Sequence, residues 1–547
     1  MPAPTDIRAA VERRAQDMLA AAAPPVDEPI EVDSGRVRAC LDANERGDGV
    51  LFAEINQNRY RYNITPDAGE WYRWRGTHWE ADRSASCVRD GAEAVAARYA
   101  QEADKARESL ALEPDKKTDK AKALEALAVK YERRVERCRS WSGVEKMLRF
   151  AGRVMPELQV SEDQMDRKPL LLPCPNGVID LERGILTEGR REDLLTRAIA
   201  IPYDPSADTR PCMEFLVQVL GSEEEAAFLQ RSLGVALTGY SHEQYLWLLI
   251  GDGRNGKGVL RHVLAHLLGP YYHEINAQML VASRNAPSAQ AASEHVVALH
   301  GRRLIVAGET NDHEKVDARA LKKLTGEDIL NARPNFKSEI NFAPTHSTWL
   351  LTNHMLHGIA ADFSLVQRLL ILEFPFSFVD DPASEAARYP ARADCFRQKD
   401  PFLKDRLLEP GSLRAWLKFG VDGCRAWRER GLGIPQSVID RRDKHARESD
   451  YFREFFADCI RSDPGGKLAC STAHKVFTRW FRETQNPSDD SKMKTPALKT
   501  LNNAFRRQGY RVDKSGVYYV FDACIPRDCP YLYDEQDQRT LDRYGGW

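Results

Sequence analysis

The 547-residue chain lacks any run of 18 consecutive apolar residues, so no segment of it is expected to span a membrane. It also lacks an excess of charge of one sign, because 79 lysine and arginine residues nearly balance 81 aspartate and glutamate residues. The net charge of −2 excludes a uniformly cationic surface. Any contact with nucleic acid must therefore come from local basic features.

Two further absences concern metal sites and export. The eleven cysteines are scattered, and the closest pair, Cys524 and Cys529, does not have the spacing of a zinc ribbon. His262 and His266 lie four residues apart with no third ligand nearby in the sequence, which favours surface residues over a metal site. The N-terminus lacks the apolar core of a secretory signal. Reduced thiols and a cytoplasmic location are therefore expected.

The most informative stretch runs from Tyr245 to Leu268. An apolar run predicts a buried strand, a glycine-rich turn follows, and apolar residues at helical spacing predict a helix that ends at Gly269. A strand, the pattern G-x-x-x-x-G-K and a helix, in this order, are typical of a loop that binds the phosphates of ATP. The alternative is a glycine-rich turn with a chance lysine. The candidate binding residues are Gly251, Gly253, Asn255, Gly256, Lys257 and Gly258.

The end of this pattern departs from the usual motif. Gly258 and Val259 follow Lys257, at the place where a serine or threonine hydroxyl would ligate Mg²⁺. Either carboxylates and water hold the metal, or its affinity is weak. A second predicted strand, from Arg302, ends at Glu309, whose carboxylate can orient or activate water beside the terminal phosphate. An acid at a strand end is otherwise usually just a solvated terminus.

Further elements follow in the sequence. Residues 317–326 predict a short capped helix, 329–332 and 340–343 predict paired strands around a polar tip, and 347–353 predict a buried strand ending in the amide of Asn353. In this order the segments resemble a superfamily 3 helicase, and most closely the helicase half of phage, plasmid and poxvirus helicase–primases. The resemblance covers residues 140–380 well and the flanks loosely. It rests on Asn176-Gly177-Val178-Ile179-Asp180, Asn255-Gly256-Lys257, the Glu309 strand, Lys322-x-Leu-Thr-Gly-x-Asp328, Ala332-Arg333, Phe342-x-Pro344, Thr352-Asn353 and Arg368-Leu369.

This resemblance implies an α/β fold with an AAA+-like P-loop ATPase core, in which helices surround a parallel sheet, assembled as a ring that is usually hexameric. By match, Lys257 binds phosphate, Glu309 is the acid of the hydrolysis motif and a metal ligand, and ATP and Mg²⁺ are the cofactors. Asn353 matches the polar sensor of the family. Arg368 matches its arginine finger, which acts on the nucleotide of the neighbouring subunit.

The resemblance also implies a hairpin that lines the pore of the ring and contacts single-stranded DNA. Arg333 lies in the matching segment, and Phe336 and Lys337 lie near its tip. An aromatic ring stacks on bases and a cation binds phosphate, as a strand tracker requires. The alternatives are core packing for Phe336 and an exposed turn for Lys337.

The C-terminal part predicts three helices, within 450–460, 472–484 and 495–509, and two strands, a pattern that suggests a winged helix. Arg506 and Arg507 of the third helix and Lys514 of the wing are its candidate DNA contacts. A winged helix that contacts protein is nearly as good an interpretation, because the basic residues are few.

The predicted organisation has six parts. They are a mainly helical N-terminal region with an aromatic β-hairpin (1–160), a connecting segment (161–204), the superfamily 3 ATPase domain (205–380), a helical linker region (381–447), a winged-helix-like domain (448–523) and a poorly structured tail (524–547). The N-terminal region shows neither a paired-aspartate motif on a strand nor a cysteine-rich zinc module. A helicase without its own primer synthesis is therefore expected.

Three functional hypotheses stay open from the sequence. The leading one is an ATP-dependent ring helicase that acts on single-stranded and forked DNA, without membrane contact, in replication of a phage, plasmid or other mobile element in the bacterial cytoplasm. A separate primase or polymerase would then be a partner. The second is a replication initiator or an ATP-switched DNA-binding protein without unwinding. The third is a scaffold ATPase without a DNA substrate, which would have no need of a pore hairpin.

Overall fold

A computed structural model describes residues 28–65, 68–280, 293–308, 317–334, 338–353, 363–448, 451–484, 495–515 and 517–532. The N-terminal part is mainly helical and has its own hydrophobic core. Its helices are α1 (Ser34–Asp42), α2 (Asn44–Asn56), α3 (Ser86–Leu112), α4 (Asp119–Arg139) and α5 (Trp141–Val154). Its strands are β1 (Tyr60–Asn63), β2 (Trp71–Trp74), β3 (Trp79–Ala81) and β4 (Gln159–Val160).

The aromatic hairpin predicted in this region is present, as β1 and β2 pair in antiparallel fashion. It belongs to a four-stranded sheet of order β3-β2-β1-β4, which the sequence did not predict. Tyr60, Trp71 and Trp79 are buried, so these rings pack in the protein interior and do not offer a surface for bases. Thr118 and Ser140 accept hydrogen bonds from the first turns of α4 and α5, which fixes where those helices begin.

The connecting segment forms a small antiparallel sheet, and the central part of the chain is built on a parallel one. The small sheet consists of β5 (Leu171–Cys174), β6 (Gly177–Asp180) and β7 (Ile185–Thr187). Next come α6 (Arg210–Leu220), α7 (Glu223–Leu237), β8 (Leu246–Ile250), α8 (Lys257–Leu268), β9 (Tyr272–Ile275), α9 (Glu294–Val297), β10 (Leu304–Ala307) and α10 (Ala318–Thr325). After these follow β11 (Leu330–Ala332), β12 (Ile340–Phe342), β13 (Ser347–Thr352), α11 (Phe363–Val366) and β14 (Leu369–Glu373).

The five strands of the central sheet are parallel and stand in the order β14-β8-β13-β10-β9. Because parallel strands all end at the same edge, this order decides which residues meet. The loop after β8 and Asn353 after β13 lie at the carboxyl edge, whereas Arg368, just before β14, lies at the opposite edge. Ligand sites of open parallel sheets form at the carboxyl edge.

Side chains of the sheet alternate between two apolar layers, as a strand with both faces covered requires. Trp247 and Leu249 of β8 face the larger core, which contains residues of α6, α7 and α8. Leu246 and Leu248 face a second core with residues of α10 and of the β11–β12 hairpin. The hairpin and α10 therefore pack on one face of the sheet.

The region predicted as a helical linker contributes to the larger core. It contains α12 (Pro382–Arg388), α13 (Leu403–Leu407), α14 (Pro410–Arg430) and α15 (Gln436–Glu448), and β16 (Phe396–Gln398) pairs with β15 (Ser377–Val379). Trp416, Leu417 and Phe419 of α14 are buried in the same core as β8. This region therefore belongs to the packed centre of the protein.

A buried carboxylate ties α7 to α15. Glu225 is 2% exposed, and its Oε1 accepts hydrogen bonds from Ser437 Oγ (2.6 Å) and Arg441 Nη2 (2.8 Å). Removing the cation from such a pair leaves a charge in a low dielectric.

We expect Arg441→Met to lower the free energy of unfolding by about 3 kcal/mol, measured by urea denaturation. Arg38→Ala, which breaks an exposed i,i+4 pair with Asp42, should cost only about 0.3–0.5 kcal/mol; equal effects would contradict this role.

The C-terminal part has a third core and consists of α16 (Tyr451–Cys459), β17 (Arg461–Ala469), α17 (Cys470–Thr484), α18 (Leu498–Arg507), β18 (Val512–Ser515) and β19 (Val517–Cys524). The three predicted helices and two strands are present, and β17 is an additional strand that pairs with β19. The tail was predicted to be poorly structured from Cys524. Ile525 and Cys529 are instead buried in this core, and residues 533–547 lie outside the described part.

Candidate functional site

The glycine-rich loop between β8 and α8 turns sharply. Gly253, Arg254 and Gly256 have positive φ values of 93°, 50° and 92°, and the Gly253 N–H donates to the carbonyl oxygen of Gly251 (2.9 Å). Glycine adopts this conformation without steric cost, whereas Arg254 is strained in it. The first turn of α8 begins at Lys257, directly after the loop, and its N–H groups add a partial positive charge.

Close contacts fix the shape of this loop. A Cβ atom at Gly251 would lie 2.3 Å from Asn255 Nδ2 and 2.6 Å from the carbonyl oxygen of Phe374, so only glycine fits there. Asn255 is 3% exposed, and its Nδ2 has no hydrogen-bond partner within the described structure. A buried amide donor without an acceptor is costly, and a bound phosphate oxygen would satisfy it. The shape of this loop and the unpaired Asn255 amide are therefore suited to bind an anion.

Lys257 and Asn353 meet at the carboxyl edge of the sheet, as the parallel order of β8 and β13 requires. Lys257 is 6% exposed, and its Nζ donates to the carbonyl oxygen of Gly251 (2.5 Å) and to Asn353 Oδ1 (3.2 Å). Both of these oxygens are neutral acceptors, one from the loop itself and one from the end of β13. Lys257 and Asn353 therefore lie within hydrogen-bond distance of each other, and their roles at a nucleotide stay predictions.

The position after Lys257 has room for a larger residue. A Cβ atom at Gly258 would meet nothing within 4 Å, and Gly258 is exposed at the start of α8. The missing hydroxyl is therefore not a consequence of crowding, and water can occupy this space. Among the described residues, no group of three or more histidine, cysteine, aspartate or glutamate residues forms a metal site. Glu309, the predicted metal ligand, lies outside the described residues, directly after Gly308 and close to the end of β10.

Arg368 lies at the other edge of the sheet, next to the beginning of β14. Its Nη1 donates to Thr325 Oγ1 (3.1 Å), at the end of α10, and its Nη2 donates to Gln244 Oε1 (3.0 Å), before β8. The length of β8 separates Arg368 from the loop of the same chain. The guanidinium can therefore meet a phosphate loop only if a second copy brings one to this edge. The contacts of Gln244 and Thr325 with Arg368 were not predicted from the sequence. Thr325 lies in the Lys322-x-Leu-Thr-Gly-x-Asp328 motif, which was the only signal for either residue.

The hairpin predicted between the acidic strand and the Asn353 strand is present. Strands β11 and β12 pair in antiparallel register, from Leu330 opposite Phe342 to Ala332 opposite Ile340. The backbone of Arg333 exchanges hydrogen bonds with Ser293, which fixes the start of the tip. Phe336 and Lys337 lie outside the described residues.

The C-terminal helix α18 presents polar residues on one face. Lys499, Asn503 and Arg506 are exposed at helical spacing, and Arg506 donates to Asn503 Oδ1 (3.1 Å). Lys514 is exposed on β18, whereas the side chain of Arg507 lies outside the described part of the structure. The basic face is therefore small, as the sequence indicated.

Comparison with known proteins relates this chain to viral replication proteins. Residues 49–221 match the family model described as "D5 N terminal like". The chain is 25% identical over 348 residues to the "Putative helicase L207/L206" of Acanthamoeba polyphaga mimivirus, covering 62% of this chain and 35% of that protein. It is 25% identical over 391 residues to the "Putative helicase 022R" of Frog virus 3, covering 58% and 39%. It is 22% identical over 337 residues to the "Putative primase C962R" of African swine fever virus, covering 59% and 34%.

These similarities support a relationship with viral helicase–primase proteins, while membership of superfamily 3 itself stays a prediction. The family model begins at residue 49, so the similarity extends further towards the N-terminus than the predicted limit near residue 140. The chain spans 34–39% of the length of these relatives. Among solved structures, the apo C-terminal region of NrS-1 is 12% identical, with a TM-score of 0.35, covering 66% of this chain and 83% of that one. No helix in the described ranges is long and apolar enough to cross a membrane.

Proposed function

We propose that this protein is an ATP-dependent DNA helicase that works as a ring, the hexamer usual for the resembling family, in replication of a phage, plasmid or other mobile element. The observation that supports this most directly is the position of the charged groups on the sheet. Lys257 and Asn353 meet at one edge, 3.2 Å apart, and Arg368 lies at the opposite edge. Copies placed head to tail would bring each arginine to the phosphate loop of the next copy, and such contacts close into rings.

In this proposal ATP occupies the loop from Gly251 to Gly258. Backbone N–H groups and the Asn255 amide bind phosphate oxygens, and Lys257 exchanges its present oxygen partners for the terminal phosphates. The carboxylate of Glu309, together with water in the space beside Gly258, would hold Mg²⁺, and the metal would supply positive charge to the phosphates. Glu309 also positions the attacking water. Asn353 orients the terminal phosphate, and Arg368 of the next copy stabilises the charge of the transition state.

The DNA strand is proposed to pass the β11–β12 hairpin in the centre of the ring. The hairpin packs on one face of the sheet through Leu330 and Phe342, so movement of the sheet is transmitted to it. Exposed basic residues of α18 and β18 offer a second, weaker contact to duplex DNA. Similarity to viral proteins named as helicases supports this choice over a scaffold ATPase.

Unwinding of a forked duplex tests this function and separates it from an initiator. The parent protein should separate the strands only with ATP and Mg²⁺. Phe336→Ala and Lys337→Ala should stop unwinding while basal ATPase stays largely intact, because stacking contributes about 1–3 kcal/mol per base. Lys337→Ala should also flatten the salt dependence of single-strand binding, since fewer counterions are released.

An exposed basic residue far from the hairpin serves as the control. Lys130, which pairs with Asp42 in the N-terminal part, can be replaced by alanine with the same loss of charge. If the Lys337 and Phe336 variants unwind a fork as fast as Lys130→Ala does at raised salt, the hairpin has only a structural role. A parent protein that binds DNA and hydrolyses ATP without separating strands would favour the initiator.

A further inference from the structure

The end of α10 and the segment before β8 form a cradle around Arg368, which we define as Gln244, Thr325 and the backbone between them and the sheet. Arg368 Nη1 lies 3.1 Å from Thr325 Oγ1, and Nη2 lies 3.0 Å from Gln244 Oε1. The Leu246 N–H donates to the Arg368 carbonyl oxygen (2.7 Å), so the backbone is held as well. Both ends of the guanidinium are therefore fixed.

The hydroxyl of Thr325 has only one orientation available. Thr325 is 4% exposed, and its Oγ1 donates to the carbonyl oxygen of Leu321 (2.9 Å). A hydroxyl has one hydrogen, so its lone pairs face Arg368 and accept from Nη1. Thr325 is therefore a prearranged acceptor.

The end of α10 is itself anchored to the sheet. The carbonyl oxygen of Leu324 accepts hydrogen bonds from Thr348 Oγ1 (3.1 Å) and from His346 Nε2 (3.2 Å). Burial lowers the pKa of His346 to about 4, so its ring is neutral at pH 7. The carbonyl partner then requires the hydrogen on Nε2. Strand β13 thus fixes the helix end that holds Arg368.

Gln244 occupies a backbone conformation that is costly for its residue type. Its φ is 51°, in the left-handed region that L-residues with side chains rarely adopt. Such strain persists where the surroundings enforce it, and it is concentrated at functional sites. A glycine would relieve the strain but would lose the amide oxygen. Retaining glutamine here maintains an acceptor for Arg368 at the expense of backbone stability.

Both acceptors of Arg368 are neutral, which preserves the charge of the guanidinium. No carboxylate among the described residues pairs with Arg368. Glu327, two residues after Thr325, pairs with His242 at 2.5 Å and also accepts a hydrogen bond from the Gln244 amide, and these bonds, that of His242 first, lower the pKa of Glu327. An arginine fixed by neutral oxygens is oriented without being neutralised, so that it can still stabilise an anion.

We propose that Gln244 and Thr325 are positioning residues, which hold Arg368 in place and uncompensated for the nucleotide of the neighbouring copy. This inference rests on the proposed function. It also assigns a role to the Leu324-Thr325-Gly326 part of the motif. Because β11 follows α10 after a short turn, the same helix end connects the arginine to the hairpin proposed to bind DNA.

Two substitutions of Gln244 test this role. Gln244→Glu keeps the shape but places a carboxylate against Arg368, and Gln244→Gly removes the acceptor while it relieves the strained φ. We expect kcat of single-strand-stimulated ATP hydrolysis to fall at least about tenfold in both, with KM for ATP nearly unchanged. Gln244→Gly should unfold at the same or a higher temperature than the parent. The control is Gln101→Glu, which adds the same negative charge as Gln244→Glu at an exposed position in the N-terminal part.

Substitutions of Thr325 and Arg368 complete the set of test variants. Thr325→Val removes the acceptor and should lower kcat, whereas Thr325→Ser keeps the hydroxyl and should restore most of it. In an Arg368→Ala background, Gln244→Glu should cause no further loss, because residues of one unit are not additive. Parent-like kcat in Gln244→Glu and Thr325→Val, with Arg368→Ala inactive, would overturn this inference alone. A parent protein without any ATP turnover would overturn the proposed function, and the inference with it.

Discussion

Replacement of Lys257 by alanine should abolish ATP turnover. The Lys257 ammonium is buried at the carboxyl edge of the sheet, where it donates hydrogen bonds to the carbonyl oxygen of Gly251 and to Asn353 Oδ1. The terminal phosphates of ATP would lose the cation that stands at the first position of α8. Steady-state ATPase assays should show a rate at background, and nucleotide binding should be weakened as well.

The loss of ATP turnover in Lys257→Ala must be distinguished from unfolding of the variant. Lys257→Ala removes a buried charge, so its melting temperature in the absence of nucleotide should be close to that of the parent. Lys130→Ala, which removes an exposed lysine far from the loop, should leave turnover unchanged. Turnover near the parent rate in Lys257→Ala would rule out the phosphate-binding role of the loop.

Replacement of Arg368 by alanine should lower kcat by about 10³–10⁵, the range known for arginine fingers, while ATP binding persists. The reason is geometric, since Arg368 lies next to the beginning of β14 and cannot reach the loop of its own chain. A residue that acts across an interface affects the transition state and leaves the binding of ATP within one subunit largely intact. The measurement is kcat together with the dissociation constant of a fluorescent ATP analogue.

Arg210→Ala gives the matched control, because Arg210 is exposed and pairs only with Asp208 within the described structure. It should retain parent turnover. If Arg368→Ala lost ATP binding and turnover in equal proportion, its role would be in binding or in ring assembly, and the account of a finger would fail. Size-exclusion chromatography with light scattering separates these two outcomes.

Single strands and helices could be predicted from the sequence because residues close together in the chain determine them. The apolar run before Gly251 and the helical spacing after Lys257 correspond to β8 and α8. Asp317 caps α10 through hydrogen bonds to the next turn, as its position before the helix indicates. The paired strands around residues 335–337 were also predictable from alternation.

Long-range order could not be predicted in the same way. That β8 stands between β14 and β13 depends on packing of the whole sheet, and this order makes Lys257 a neighbour of Asn353. The cradle residue Gln244 precedes a strand and matches no motif. Strand β17 was missed because Pro464, Gly465 and Gly466 interrupt its pattern, and its register shifts between Ser462 and Lys467.

The central claim, that one active site is completed by two copies, is tested most directly by mixing two inactive variants. Arg368→Ala lacks the finger, and Glu309→Gln lacks the acid, so each alone should be inactive. In a randomly mixed head-to-tail ring, about a quarter of the interfaces combine an intact acid with an intact finger. We predict that ATPase activity returns in the mixture and is greatest near equal proportions. Absence of activity at every ratio, although both variants enter the same ring, would contradict a shared site.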